Sequence, residues 1–180
     1  MNDSLELIEG LKRKDDQAFR KVMALYKDRI YTYLRMLTGD PALAEELAQD
    51  TFVKVYFKAH TLRGENLKSW IFTIATNLAR SHFRRHRLGQ LFSLDEVGEK
   101  HAAVEYNVEA GPMLETMLNK LPEKYRVPLV MREIDNFSFA EIAEVMKKPV
   151  GTIKTLVFRG KRQLQEALKP RRGGMDNGTV

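Results

Sequence analysis

Cationic and hydroxyl side chains recur on one face of the segment from residue 150 to residue 168. Arginine and lysine bind phosphate oxygens and the acceptor atoms of guanine, and threonine exchanges hydrogen bonds with either group. At about 100° per residue, the opposite face is an apolar stripe with one glycine, where another backbone can approach closely. The pattern predicts a helix that enters the DNA major groove through Thr152, Lys154, Thr155, Phe158, Arg159 and Arg162.

The residues before this helix predict a helix-turn-helix. Ser138 and Glu141 have the Ser-x-x-Glu spacing of a capping box, which starts a first helix near residue 138. Pro149 precedes the second helix, where the first turn has no use for a backbone N–H. An ordinary helical hairpin with a solvated basic face is the alternative. The caps, the turn and the one-sided charge together favour the DNA-binding interpretation.

The charge distribution agrees with a polyanionic partner. The 180 residues carry a formal net charge of +6, and 43% of them are hydrophobic, enough for packed cores. Residues 80–87 and 150–172 are strongly basic, whereas residues 88–112 between them are acidic. Two basic segments separated by an acidic one indicate two nucleic-acid-binding regions joined by a segment with a different function.

Several classes of protein are excluded by composition. The chain has no cysteine, so disulfides, thiolate zinc sites and cysteine nucleophiles are ruled out. His60, His82, His86 and His101 share no helical face with a supporting carboxylate, so we expect no metal site and no cofactor. No apolar run approaches the ~20 residues that span a bilayer, and the N-terminus is acidic where a signal peptide is cationic. We therefore expect a cytoplasmic protein without membrane insertion.

Apolar residues recur at helical spacing along nearly the whole chain, without alternation long enough for a strand. Gly39 ends one helix, and Asp40 with Pro41 starts the next as N-cap and first helical residue. The predicted fold class is all-α, with two small helical domains joined by a flexible acidic linker, the C-terminal domain being the helix-turn-helix. Helices are expected at about residues 15–38, 41–58, 67–86, 113–121, 123–133, 138–146 and 150–168.

The expected domains follow from the same pattern. Residues 1–87 form the first domain and residues 113–169 the second. Residues 88–112 show no sustained periodicity and are predicted to be the linker, and residues 170–180 are predicted to be a disordered tail.

The helix over residues 41–58 has an acidic exposed face. The apolar side chains of this helix lie on one face, and a group of mostly acidic side chains lies on the opposite face. We call this group the acidic patch. Such a patch repels DNA and suits a basic protein partner, although a simply solvated face is the alternative. Neither burial nor a nearby partner tunes these carboxylates for acid–base catalysis, so we expect no enzymatic activity. The acidic patch comprises Glu45, Glu46, Gln49, Asp50 and Val53.

The helix over residues 67–86 has a face suited to an unpaired base. Asparagine reads a base edge, arginine holds phosphate and an aromatic ring stacks on a base. The preceding loop, residues 62–66, is placed to close a pocket around an extruded base. Trp70 lies at the border of this face and is expected to be partly buried. The candidate contacts are Leu62, Arg63, Asn66, Trp70, Ile74, Asn77, Arg80 and Arg84.

Three stretches in this order resemble the extracytoplasmic-function (ECF) subgroup of bacterial sigma factors, in the sigma-70 family. LAEELAQDTFV at 43–53 resembles the helix that docks on the clamp helices of the largest RNA polymerase subunit. LKSWIFTIATNLAR at 67–80 resembles the reader of the −10 promoter element. LPEKYR at 121–126, FAEIA at 139–143 and VGTIKT at 150–155 are similar to the reader of the −35 element.

The resemblance implies an alternative sigma factor with a division of labour. Residues 1–87 would be sigma domain 2, which binds core polymerase through the acidic patch and reads and melts the −10 element. Residues 113–169 would be sigma domain 4, which reads −35 DNA. The linker would thread through the polymerase, and an anti-sigma factor is an expected partner. Family members often carry arginine after the Lys-Thr pair, whereas this chain has Leu156, which on the wheel packs rather than contacts phosphate.

A stand-alone helix-turn-helix regulator is the rival interpretation. It accounts for residues 113–168 but gives no role to the acidic patch, the Asn77–Arg80–Arg84 face or the acidic linker.

Overall fold

The computed structural model describes residues 2–64, 66–92 and 113–168, and every regular element in these residues is helical. This confirms the predicted all-α fold. We call α1–α4 the N-terminal unit and α5–α8 the C-terminal unit. The helices are α1 Asn2–Lys12, α2 Asp16–Thr38, α3 Pro41–Lys58, α4 Leu67–Phe92, α5 Met113–Lys120, α6 Glu123–Glu133, α7 Phe139–Met146 and α8 Val150–Leu168, with a short 3-10 turn at Ala59–Thr61.

The predicted helix caps are present. Gly39 ends α2 in the left-handed conformation (φ 72°) and donates its N–H to the Arg35 carbonyl. The Asp40 carboxylate then accepts from the N–H groups of Ala42 and Leu43, which fixes the start of α3. The capping box of Ser138 and Glu141 is formed in both directions at the start of α7.

The N-terminal unit is built around α2, which packs on α1, α3 and α4. Ile30, Leu34 and Leu37 are fully buried along its inner face. Tyr33 is buried too, and its hydroxyl lies 2.8 Å from Thr76 Oγ1 on α4. Burial raises the pKa of Tyr33, so the hydroxyl stays protonated and the bond ties α2 to α4.

One helix was not predicted, and another ends later than predicted. Residues 2–12 form α1, whose Ile8 and Leu11 are buried in the N-terminal unit. The fourth helix continues to Phe92, so the first residues of the predicted linker are helical. The remainder of that linker, residues 93–112, and the predicted tail, residues 170–180, lie outside the described residues. No described helix is long and apolar enough to cross a membrane.

The two units pack against each other through the turn between α6 and α7. Phe137 in this turn is fully buried, and its ring centroid lies 4.8 Å from that of Phe72 on α4. Lys68 Nζ lies 3.7 Å from the centroid of the Phe137 ring. The buried apolar side chains of both units therefore form one continuous cluster.

Asp135 is a buried carboxylate at this contact. Arg29 Nη2 lies 3.5 Å from its Oδ1, while Oδ2 has no hydrogen-bond partner among the described residues. Only 7% of the residue is exposed. Burial raises the pKa of Asp135 to about 6, and the nearby charges of Arg29 and Lys68 offset part of the effect.

The Asp135→Asn substitution should remove a pH dependence of stability. The carboxyl holds its proton more tightly when folded (pKa about 6) than at the ordinary value of 3.8, so the stabilisation by the proton is complete below pH 3.8 and is lost as the pH rises through 6. Between pH 4 and 7, the wild type should lose up to about 3 kcal/mol of unfolding free energy relative to Asp135→Asn, at about 1.4 kcal/mol per pKa unit.

Urea unfolding of both proteins across this pH range measures the difference. The exposed Asp50→Asn variant is the control and should follow the wild type. Parallel curves for the wild type and Asp135→Asn would contradict the assignment of a buried, poorly solvated carboxylate.

Candidate functional site

The polar face of α8 is exposed to solvent. Ile153 and Val157 are buried against the C-terminal unit, as the helical wheel predicted. Phe158 is 67% exposed, an unusual position for a large apolar ring. All six predicted groove-facing side chains are exposed on this side: Thr152, Lys154, Thr155, Phe158, Arg159 and Arg162.

Close packing on α6 fixes the position of α8. A Cβ atom at Gly160 would lie 3.3 Å from the Tyr125 carbonyl oxygen and 3.4 Å from the Tyr125 Cβ, so the two backbones approach where glycine was expected to permit it. Leu156 is half-buried and packs against the core, which agrees with the inference that it does not contact phosphate.

Arg132 of α6 and Phe139 of α7 lie next to the polar face of α8. The Arg132 guanidinium lies 4.6 Å from the Phe139 ring centroid, and Lys154 Nζ lies 5.9 Å from the same centroid. Arg132 Nη1 also donates to the Phe137 carbonyl at 2.8 Å. Sequence reasoning missed Arg132, because its place beside α8 depends on how α6 crosses that helix.

The acidic patch is exposed as predicted. Glu45, Glu46, Gln49, Asp50 and Val53 all face solvent, while the apolar stripe of α3 is buried.

An apolar groove lies beside the acidic patch, between α2 and α3. Val53 is 53% exposed and Phe57 60% exposed at its edge. Tyr56 meets both Phe19 and Phe57 edge to face, with centroids 5.3 and 5.4 Å apart. We call this the aromatic groove. It was not predicted, because its lining comes from two helices. Glu45 and Gln49 of the acidic patch contribute to it, and its large apolar and aromatic side chains are Phe19, Met23, Tyr31, Phe52, Val53, Tyr56 and Phe57.

The predicted base-reading residues of α4 are partly accessible. Asn77 and Arg84 are exposed, and Trp70 is half-buried as expected, like Ile74. Arg80 is half-buried, and its Nε donates to Glu123 of the C-terminal unit at 2.8 Å.

The loop before α4 divides into accessible and buried residues. Arg63 is exposed and Asn66 is half-buried, with its Oδ1 accepting from the Ser69 N–H at 3.0 Å. Leu62 is only 3% exposed and belongs to the core of the N-terminal unit. A base contact by the Leu62 side chain would need this loop to move.

Within residues 2–64, 66–92 and 113–168, no cluster of three histidine, aspartate or glutamate side chains is placed to hold a metal ion. The described residues present a basic face on α8, an acidic patch beside an aromatic groove, and a face of asparagine and arginine side chains on α4.

Two family descriptions match the chain. Sigma-70 region 2 matches residues 22–88, and sigma-70 region 4 matches residues 112–164. Among curated relatives, the ECF RNA polymerase sigma factor SigW of Bacillus subtilis is 28% identical over 177 residues, covering 90% of this chain and 95% of that protein. The RNA polymerase sigma-H factor of Pseudomonas aeruginosa is 28% identical over 182 residues, covering 92% and 93%.

Solved structures agree in fold. The sigma factor RpoE of Bartonella quintana, solved with the anti-sigma factor NepR, has a TM-score of 0.69 at 28% identity, covering 86% of this chain and 98% of that one. CnrH, solved with the cytosolic domain of CnrY, has a TM-score of 0.68 at 20% identity, covering 90% and 94%. The second likeness concerns the fold alone.

The fold and its surfaces thus define a promoter-specificity factor of two helical units. The chain belongs to the sigma-70 family of RNA polymerase sigma factors, in the ECF subgroup. It is an alternative sigma factor, which directs promoter-specific initiation of transcription by RNA polymerase.

The close packing of α8 on α6 can be tested with matched glycine variants. Gly160→Val should destabilise the fold by about 1–3 kcal/mol, because its side chain meets the backbone of Tyr125 and overpacks the contact. Gly151→Val in the same helix is the control, since nothing lies within 4 Å of a Cβ there. Thermal unfolding compares the two. Equal melting temperatures would show that α8 does not approach α6 in this way.

Proposed function

We propose that this sigma factor contacts core polymerase through the acidic patch and the aromatic groove together. The acids supply charge that complements a basic partner, and Val53 and Phe57 supply exposed apolar surface for it to bury. An aromatic groove with a charged rim has the composition of a protein-binding site rather than a DNA-binding one. The expected partner is the clamp helices of the largest subunit.

The proposed −10 reader is the exposed face of α4 with the loop before it. Asn77 offers a donor and an acceptor to a base edge, and Arg63, Arg80 and Arg84 offer cations to phosphate. Half-buried Trp70 and Ile74 form an apolar floor beside them. These groups suit a flipped, unpaired base next to a sugar–phosphate backbone.

The proposed −35 reader is the exposed face of α8. Exposed cations at the start of a helix suit insertion into the major groove, and exposed Phe158 suits apolar contact with a thymine methyl group. Arg132 adds a cation from α6 beside them. The observation that carries the proposal is that every predicted groove-facing side chain of α8 is exposed while Ile153, Val157 and Gly160 on the opposite face are buried.

The remaining functional proposals follow from the subgroup. We infer that the chain acts in the cytoplasm and performs no catalysis itself, because it lends promoter recognition to the polymerase that holds the active site. An anti-sigma factor is a further proposed partner, supported by the similar sigma factor RpoE, which was solved with the anti-sigma factor NepR. The rival, a stand-alone helix-turn-helix regulator, would leave the acidic patch and the aromatic groove without a role.

The Glu46→Arg/Asp50→Arg double variant should weaken binding to core polymerase at least tenfold, because it places two cations against a basic partner. Both residues are exposed on α3 and point away from its buried stripe, so the fold should survive. The matched control is Glu9→Arg/Asp16→Arg, with the same charge change at exposed acids of α1 and α2.

Fluorescence titration with purified core polymerase measures both affinities, and circular dichroism checks the helix content. Unchanged affinity in the folded patch variant would refute the acidic patch as the polymerase contact. An equal loss in both variants would mean that net charge, not the patch, controls binding.

The Arg159→Ala variant tests the −35 proposal. If Arg159 reaches a base edge, its loss should cost about 1–3 kcal/mol and relax preference at one position. Lys154→Ala provides the comparison, since a lysine that contacts only phosphate should weaken all sequences alike and lower the salt slope by about one. Holoenzyme binding to matched and scrambled −35 sites across salt concentrations measures both. Two variants that behave like the wild type on both sites would place α8 outside the groove.

A further inference from the structure

A lysine occupies a left-handed backbone position in the turn before α8. The described residues include three non-glycine positions with positive φ, namely Lys14 (58°), Asn136 (53°) and Lys147 (52°). Asparagine adopts this conformation readily, because its short polar side chain forms local hydrogen bonds. The Nζ of Lys14 lies 6.0 Å from the centroid of the Phe57 ring, a contact that uses its side chain. Lys147 has neither explanation, although glycine would adopt its φ without strain.

The turn between α7 and α8 fixes the backbone of Lys147 and of its neighbour Lys148. The Lys147 N–H donates to the Glu144 carbonyl at 3.3 Å, and the Lys148 N–H donates to the Ala143 carbonyl at 3.1 Å. Pro149 follows and restricts Lys148 to an extended conformation. Hydrogen bonds and a proline therefore position both lysines before any ligand binds.

Both lysine side chains are available to an anion. Lys147 and Lys148 are exposed. Within the part of the chain that the structure describes, no acid forms a salt bridge with either ammonium group. Glu144, the acid that precedes them in sequence, has its Oε2 3.5 Å from Asn66 Nδ2 instead. Two adjacent cations without a counter-charge repel each other, and a bound anion would remove that repulsion.

The two lysines precede the end of α8 that is proposed to enter the groove. An α-helix with side chains is about 10–12 Å across, and the major groove is about 12 Å wide. A helix that fills the groove places the residues before its first turn at the groove rim, where the phosphates run. Lys154 is the only cation among residues 150–157. The leading end of α8 therefore brings little charge of its own, and Lys147 and Lys148 lie where more is needed.

We propose that Lys147 and Lys148 bind backbone phosphates of the −35 duplex where α8 enters the groove, and that the left-handed turn directs Lys147 to its phosphate at the expense of fold stability. The inference rests on the proposed function of α8 as the −35 reader. Phosphate contacts set affinity and register but carry no sequence information. The two lysines thus position the helix, and the side chains on its exposed face choose the sequence.

The Lys147→Gly variant should separate stability from binding. Glycine relieves the left-handed strain, so the full chain should unfold at a higher temperature. Loss of one phosphate contact should weaken holoenzyme binding to matched and scrambled −35 sites alike, by roughly five- to tenfold at about 0.1 M salt, and lower the salt slope by about one. Lys148→Gln should lower the slope equally without raising the melting temperature.

Two further variants serve as comparisons. Lys14→Gly makes the same exchange at the other exposed left-handed lysine, in the turn between α1 and α2, and should leave DNA affinity and salt slope unchanged. Lys147→Arg keeps the charge and should retain most of the affinity. Salt titrations of holoenzyme at saturating core polymerase measure binding, and thermal unfolding of the free chain measures stability.

The outcomes separate this proposal from the proposed function. Unchanged affinity and slope in Lys147→Gly, with weakened binding in Arg159→Ala, would overturn the proposal and leave α8 as the −35 reader. A loss confined to the matched site, or an equal loss in Lys147→Arg, would overturn it as well, because neither is the behaviour of a phosphate contact. If neither Arg159→Ala nor Lys147→Gly changes binding, α8 does not enter the groove, and both the proposed function of α8 and this proposal fail.

Discussion

Burial of Phe137 between the two units is the interaction on which the rest of the structure depends. The ring reaches Phe72 of α4, and Lys68 covers it from the same helix. Asp135, two residues before this ring, is buried at the same contact, where Arg29 is its ionic partner. Because an apolar contact and a buried charge occur together, the interface is both stable and sensitive to the protonation of one carboxyl.

Each proposed functional surface is the solvent side of a helix whose other side builds a core. In α3 the acids face solvent while Ala44 and Leu47 are buried, and in α8 the cations are exposed opposite Ile153 and Val157. The burial that fixes the helix also fixes the direction of its polar face. In the proposed function, the acids of α3 face polymerase and the cations of α8 face DNA, and each set lies on the solvent side of a helix that also builds a core.

Local signals predicted most of the elements. The caps at Asp40 and Ser138 and the left-handed Gly39 fixed three helix ends, because capping depends on residues close in sequence. Helical periodicity predicted the buried stripes of α3 and α8 and the half-buried position of Trp70. It did not predict α1, and it ended α4 too early, because that helix continues to Phe92.

Features that join distant segments were not predictable in this way. The aromatic groove combines α2 with α3, and Arg132 meets Phe139 only because α6 and α7 pack side by side. Leu62 was a candidate base contact because of its place in the loop before α4, but its side chain is buried in the core. The contact between the units joins Arg29 to Asp135, which are separated by 106 residues, and no periodicity carries that information.

Run-off transcription from fragmented genomic DNA, with purified core polymerase and the full chain, tests the central claim most directly. Sequencing the 5′ ends of the transcripts gives the start sites that depend on the chain. Sigma function predicts chain-dependent starts that share two upstream motifs at a fixed spacing, near −10 and −35. No chain-dependent start, together with DNA retention by the chain alone, would contradict this account and favour a stand-alone regulator.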